Sequence, residues 1–337
     1  MDEKLAERIL LKYGVSYSQI LPSESGYRNQ VFPVHLKDGR MITLILYKSD
    51  ADILTRIRNA NKVADYLAAQ GFPARQTYDS KIILLRTSRF LKYGALYGYL
   101  PGHTIPWEAY TKDHIKQLGK SISDMHALLE GFSDKDLLQD ISVEFGQIID
   151  RMEEYFTNRS VANALATKLN LKVSASIYRL HRVILNVAAQ LEAKQALHMD
   201  FVRGNILFDD NKPDGQLKVS ITGVIDFEKT ACGSVLFDIA RTLAFLLVDC
   251  KYKPEDKIRK YFLRSGYNKR GAKQFHDIEL VINETNVSLL EALVDIFLMY
   301  DFYKFLRHNP YESLGQNEHF VRTKAILLRR NCIDLSK

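Results

Sequence analysis

The sequence predicts an α+β protein of two lobes, a small antiparallel sheet followed by a larger and mainly helical part. Three observations lead there. At 337 residues the chain exceeds what one hydrophobic core usually organises. Before residue 100 the apolar residues fall in short runs bounded by turn residues, as strands require. Beyond residue 110 they recur every three or four positions over long stretches, as helices require. Sheet-rich and helix-rich halves in succession make an α+β plan. The lobes are expected to be residues 1–98 and 99–337.

Leu5, Ile9, Leu10 and Tyr13 fall at helical spacing, so residues 3–13 read as a short amphipathic helix. Gln30 to Leu36 reads as a strand, and Pro33 within it favours an edge, because proline cannot donate to a ladder. Lys37-Asp38-Gly39-Arg40 is a hairpin turn, since Asp-Gly tolerates the positive φ of tight turns. Met41 to Tyr47 returns. Residues 51–70 form a helix on Ile53, Ile57, Val63, Tyr66 and Leu67, stopped by Gly71 and Pro73. Strands follow at Lys81–Leu85 and Tyr93–Tyr99. Residues 112–130, 173–193, 236–249 and 286–307 are the long helical stretches of the second lobe.

Bulk properties narrow the function. Lys plus Arg number 47 against 40 Asp plus Glu, a formal charge of +7 without any long basic block. That balance suits an anionic ligand such as a nucleotide, and no motif supports specific nucleic-acid binding. The odd cysteines Cys232, Cys250 and Cys332 lack metal-ligand spacing and imply no disulfide framework. The longest apolar stretch, Leu243 to Val248, is too short to span a membrane. With no secretory pattern after Met1, a cytoplasmic location without membrane attachment is expected.

The chemistry concentrates in residues 197–228. Leu197-His198-Met199-Asp200 leads to Asn205, five beyond the aspartate. After a polar turn at Asp209–Gln216, an apolar strand ends in Ile225-Asp226-Phe227-Glu228. Phosphoryl transfer asks a protein for a positioned nucleophile and neutralised phosphate charge. Asp200 suits the base beside an acceptor hydroxyl. Magnesium takes oxygen ligands and keeps several waters, so the Asn205 amide and the Asp226 carboxylate suffice. His198 is expected to brace the loop, since imidazole is a poor ligand for so hard a cation.

These residues resemble the signature of the aminoglycoside phosphotransferase family, relatives of choline kinases and protein kinases. That family has His-Gly-Asp, Asn five beyond the Asp, then Ile-Asp-Phe or Ile-Asp-Trp. Phe237-Asp238-Ile239-Ala240 resembles its Asp-Leu-Ala; Leu96 to Gly102 resembles its lobe-connecting hinge; Leu118 to His126 resembles its first large helix of the second lobe. The resemblance covers roughly residues 20–250 in order. It implies a bilobal protein-kinase-like fold and a magnesium-ATP-dependent small-molecule kinase. In it Asp200 is the base, helped by His198; Asn205 and Asp226 hold metal; Asp238 fixes the loop, or equally caps its helix. Tyr97 and Tyr99 lie on the hinge that meets adenine. Gly26 and Asn29 match a Gly-x-x-Asn nucleotide loop, in which Arg28 supplies positive charge to phosphate. Met199 departs from the usual glycine. His126 reads as a core histidine.

The resemblance breaks at the strand lysine and its helix glutamate, whose positions fall on Ile45 and on Ala60 or Asn61. Lys48 is the remaining candidate for the phosphate grip, although residues 45 and 48 face opposite ways on a strand. The leading function is transfer of the γ-phosphate of ATP to a hydroxyl of a small metabolite or aminoglycoside-like acceptor. The alternative is a catalytically weak pseudokinase that binds nucleotide or a partner, motivated by Ile45 and Ala60. A cationic acceptor would need carboxylates such as Glu228, Asp249 or Asp301, or aromatic faces from Tyr300, Phe302, Tyr303 and Phe305. Acceptor identity and oligomeric state stay open.

Overall fold

The computed structural model describes residues 2–25, 29–86, 91–191, 193–209, 219–269 and 284–336. The chain divides into two compact units, Met1–Thr104 with Asn205–Thr230, and Ile105–Gly204 with Ala231–Lys337. The segment carrying the candidate metal ligands thus belongs with the first unit, and that carrying Asp200 with the second.

The first unit opens on α1 (Asp2–Tyr13), then β1 (Tyr17–Ile20), β2 (Glu24–Ser25), β3 (Gln30–Leu36), β4 (Met41–Lys48), α2 (Ile53–Ala69), β5 (Thr77–Arg86) and β6 (Leu91–Gly98). The strands form one antiparallel sheet in the order β1-β3-β4-β6-β5, with β2 also paired to β3. Strand alternation sends Ile42, Leu44 and Leu46 to one face, where Leu5, Ile9 and Leu10 of α1 pack on them. Ile45 and Tyr47 go to the other face, with Ala95, Tyr97 and Ile53 and Ile57 of α2. A Cβ on Gly94 would collide with Ile9, so glycine is what lets α1 settle there.

Pro33 does not mark an edge strand. β3 is flanked by β4 on one side and by β1 and β2 on the other. The β1 ladder stops at Val34 and the β2 ladder begins at Val31, so no partner asks Pro33 for an N–H. Its carbonyl accepts from Leu21 at 2.9 Å.

The same unit takes in β8 (Ile206–Asp209) and β9 (Ser220–Val224), an antiparallel pair. Bridges from Ala74 to Val224 and from His103 to Phe208 tie this pair to the segments just before β5 and just after β6.

The second unit holds α3 (Lys112–Leu129), α4 (Ile141–Thr157), α5 (Ser176–Ala189), β7 (Gln195–Leu197), β10 (Ala231–Gly233), α6 (Val235–Asp249), α7 (Glu284–His308) and α8 (Glu318–Arg329). The four helices expected from spacing are α3, α5, α6 and α7, while α4 and α8 were not singled out. Thr111 starts α3 with a reciprocal cap: its hydroxyl accepts from the His114 amide, and His114 Nδ1 accepts from the Thr111 amide. α6 is buried nearly all round and packs along α7, which makes it the axis of this unit. Of the aromatic residues considered for a ligand box, Phe302 and Tyr303 are buried and Tyr300 and Phe305 half-buried; Phe302 stacks on Phe156 and Phe320. No described helix is long and apolar enough to cross a membrane.

Candidate active site

In the second unit, β7 delivers the chain into His198-Met199-Asp200, all three buried. Asp238, in the first turn of α6, organises this loop. Its Oδ2 accepts from the His198 amide at 2.8 Å and its Oδ1 from the Met199 amide at 2.5 Å. His126 Nε2 lies 3.1 Å from Oδ2, and His126 Nδ1 lies 2.9 Å from the Tyr267 hydroxyl. Burial opposes ionisation of Asp238, yet the His126 hydrogen bond and charge, with the amide bonds, hold its carboxyl below the ordinary value. Asp238 does not cap its helix; Ser234 does, through the Leu236 amide. His126 is a core histidine that also orients the loop-fixing carboxylate.

His198 braces the loop, as its residue type suggested: Nδ1 accepts from the Asp200 amide at 3.2 Å. That leaves Nδ1 unprotonated and the ring proton on Nε2 if the ring is neutral. The Val202 amide returns to the Asp200 carbonyl at 2.8 Å, and Thr242 of α6 donates to the Phe201 carbonyl. Met199 stands at φ 61°, in the left-handed region that glycine occupies without cost.

In the first unit, Asn205 leads into β8 and Asp226 follows β9. The Ile225 amide donates to the Asn205 carbonyl at 2.9 Å, which ties Asn205 to the residue before Asp226. Asp226 also has positive φ, 65°. Two residues on, Glu228 is buried in a polar cluster. Its Oε1 accepts from the Tyr47 hydroxyl at 2.7 Å and from Arg75 Nη2 at 3.0 Å. The Tyr47 and Tyr97 hydroxyls are 2.8 Å apart, and Tyr97 reaches Asn61 Oδ1 at 3.0 Å. Burial would raise the Glu228 carboxyl; Arg75 and the adjoining groups outweigh it and bring it below its ordinary value.

The donor chemistry fits a hard divalent cation. An amide and a carboxylate, Asn205 and Asp226, sit on neighbouring stretches of backbone, and the Glu228 side chain adjoins Asp226 while its buried Oε2 has no hydrogen-bond partner. Among the described residues no group of three or more His, Cys, Asp or Glu forms a softer or self-sufficient metal site.

The other sequence candidates are placed as follows. Gly26 and Arg28 lie outside the described residues; Asn29 immediately precedes β3. Lys48 is exposed at the end of β4. Ile45 and Ala60 are buried, Ile45 in the apolar layer with Ile53 and Ile57. Tyr97 is buried in the Tyr47 cluster, and Tyr99 is exposed. Asp301 is committed to a two-pronged ion pair with Arg241 at 2.8 and 3.2 Å. Arg75 escaped sequence reading because nothing near Pro73 announces its partner 153 positions away.

A cavity of about 200 Å³ opens in the second unit between Glu108, Arg203, Asp249, Lys251, His319 and Arg322. His319 Nδ1 meets Asp249 at 2.6 Å, and Lys251 bonds Glu318 at 2.5 Å. Arg203 is three residues beyond Asp200, so chain geometry keeps their Cα atoms within about 11 Å.

The chain belongs to the phosphotransferase enzyme family, whose sequence profile matches residues 19–253. It is a transferase acting on an alcohol group. It is 22% identical to hydroxylysine kinase of Danio rerio over 249 residues, covering 70% of this chain and 67% of that one. In fold it is similar to the amicoumacin kinase hAmiN in complex with AMP-PNP, Ca2+ and Ami (TM-score 0.67, 14% identity, 98% of this chain and 96% of that one). It is similar too to a microcompartment-associated aminopropanol kinase (TM-score 0.65, 12% identity, 97% and 96% covered). The protein-kinase-like fold expected from the motifs is thereby shown.

Proposed function

We propose that this protein transfers the γ-phosphate of magnesium-bound ATP to the hydroxyl of a small acceptor carrying both an amino group and an acidic group. The observation that carries the reading is the Asp200 loop, pinned at consecutive amides by Asp238 and internally by His198. A loop held this way keeps one carboxylate oriented without spending binding energy on ordering it at each turnover.

Asp200 accepts the acceptor's hydroxyl proton as the oxygen attacks phosphorus. His198 keeps the Asp200 backbone in place. Asn205 and Asp226 hold the magnesium ion, which when bound neutralises phosphate charge and orients the triphosphate. Retention of the base and both metal ligands favours turnover over the pseudokinase reading, although Ile45 removes the usual strand lysine.

The acceptor class follows from the cavity beside Arg203. Its small volume suits a molecule of amino-acid size and not a multi-ring aminoglycoside. In its lining Arg203 suits an acidic group and Glu108 an amino group, whereas Asp249 is paired with His319 and Lys251 with Glu318. The hydroxylated amino acid in the name of one relative belongs to that class.

The test is magnesium-dependent ATP consumption over hydroxylated amino acids, amino alcohols, aminoglycosides, sugars and nucleosides. Turnover confined to hydroxylated amino acids is expected. Turnover with aminoglycosides alone would overturn the acceptor assignment, and none with any compound the kinase reading.

A further inference from the structure

The positions where this kind of kinase keeps a lysine and its glutamate are neutral here. Ile45 lies in the apolar layer under α2, and Asn61 meets the Tyr97 hydroxyl. A buried ion pair nevertheless exists in the same layer, made from other parts of the chain. Arg75 Nη2 and Glu228 Oε1 are 3.0 Å apart, each side chain only 9% exposed. The guanidinium lies 4.2 Å from the centre of the Tyr97 ring, and Tyr47, two residues beyond Ile45 on the same strand face, bonds Glu228.

What this pair grips is the metal loop, at both ends. The Arg75 amide donates to the Val224 carbonyl at 3.0 Å, and the Val224 amide donates to the Pro73 carbonyl at 2.7 Å. The Arg75 side chain then closes on Glu228. Val224 is two residues before Asp226 and Glu228 two residues after it, so one residue fixes both flanks of the metal-binding aspartate. Between those fixed points Asp226 holds a left-handed conformation that a non-glycine residue keeps only when its surroundings impose it. Arg75 is too enclosed to reach a phosphate. Its role is exercised on the protein.

We propose that Arg75 is a positioning residue for Asp226, acting through Glu228, and that this clamp is the buried ion pair of a layer in which Ile45 and Asn61 are uncharged. The inference rests on Asp226 being a magnesium ligand. The clamp sets where the Asp226 carboxylate stands, and it leaves Glu228 Oε2, which has no hydrogen-bond partner, available to a water on the magnesium ion.

The test measures nucleotide affinity by calorimetry with and without magnesium, alongside melting temperature, for the wild type, Arg75→Lys, Arg75→Met and the double variant Arg75→Met with Glu228→Gln. Arg75→Met strands a buried carboxylate and is expected to lower the melting temperature. The double variant removes both charges, so its melting temperature recovers. Its magnesium-dependent nucleotide affinity does not, staying about 10–100-fold below the wild type as for other groups that orient a metal ligand. Arg75→Lys restores part of that affinity. A folded double variant with wild-type magnesium-dependent affinity would overturn the proposal and leave the kinase reading intact. A wild type whose nucleotide binding ignores magnesium removes the metal role of Asp226, and the inference with it.

Discussion

Met199 donates its backbone amide to Asp238 while standing in the left-handed region, at φ 61°. The carboxylate thus compensates for a residue that the backbone does not favour, at the position where the family resemblance leads one to expect glycine. A side chain in this region costs about 1–2 kcal/mol relative to the right-handed one. Met199→Gly is therefore expected to be more stable than Met199→Ala by about 1 kcal/mol, the reverse of the usual order in regular structure. Urea unfolding of the two variants measures it; alanine proving the more stable would remove the strain.

Asp200 is the group whose loss should separate chemistry from binding. Asp200→Asn keeps size and burial but cannot take a proton. Turnover should fall about 10²–10⁴-fold while the dissociation constant for magnesium-ATP changes little. Steady-state kinetics with calorimetry checks this, and an Asp200→Asn enzyme with ordinary turnover would end the role of Asp200 as base.

Arg203 lines the cavity assigned to the acceptor and is exposed to solvent, so its removal should not disturb the fold. Arg203→Ala should raise the acceptor KM about tenfold or more, consistent with loss of a charge-assisted hydrogen bond, and leave the ATP KM alone. An unchanged acceptor KM would move the acceptor elsewhere.

His181, buried on α5 with Nδ1 lacking a hydrogen-bond partner, gives the protein an acid-sensitive point. Burial lowers its pKa from 6.5 to about 4. The unfolded chain takes up a proton near pH 6.5 that the folded one refuses until about pH 4. The stabilisation is therefore full above pH 6.5 and is lost as the pH falls towards 4. At pH 5 the loss is about 2 kcal/mol. Unfolding free energies at pH 7.5 and 5 should show His181→Leu losing less than the wild type by that amount; equal losses would clear His181.

The site's short-range grammar was legible from one dimension. His198, Asp200, Asn205 and Asp226 lie within 29 consecutive residues, and their spacing follows from a strand, a loop and a hairpin that local chemistry dictates. The same is true of α1, α2 and the β3–β4 hairpin, where periodicity and turn residues act over a few positions. Pro33 shows the limit: a proline rule about edges is satisfied by a gap between two short strands, which only the pairing of β1 and β2 reveals.

The groups that hold the site came from long range. Asp238 could be read as a cap or a brace until Ser234 took the first role and the His198 and Met199 amides assigned the second. Arg75 and Glu228 are 153 residues apart, and no pattern links them. The sequence by itself determined which reacting groups are present, because reactive chemistry demands particular side chains at fixed spacing along one loop. The tertiary structure alone decided which buried charges compensate one another. A low-dielectric interior imposes pairing on whatever charges the fold brings together, wherever they lie along the chain.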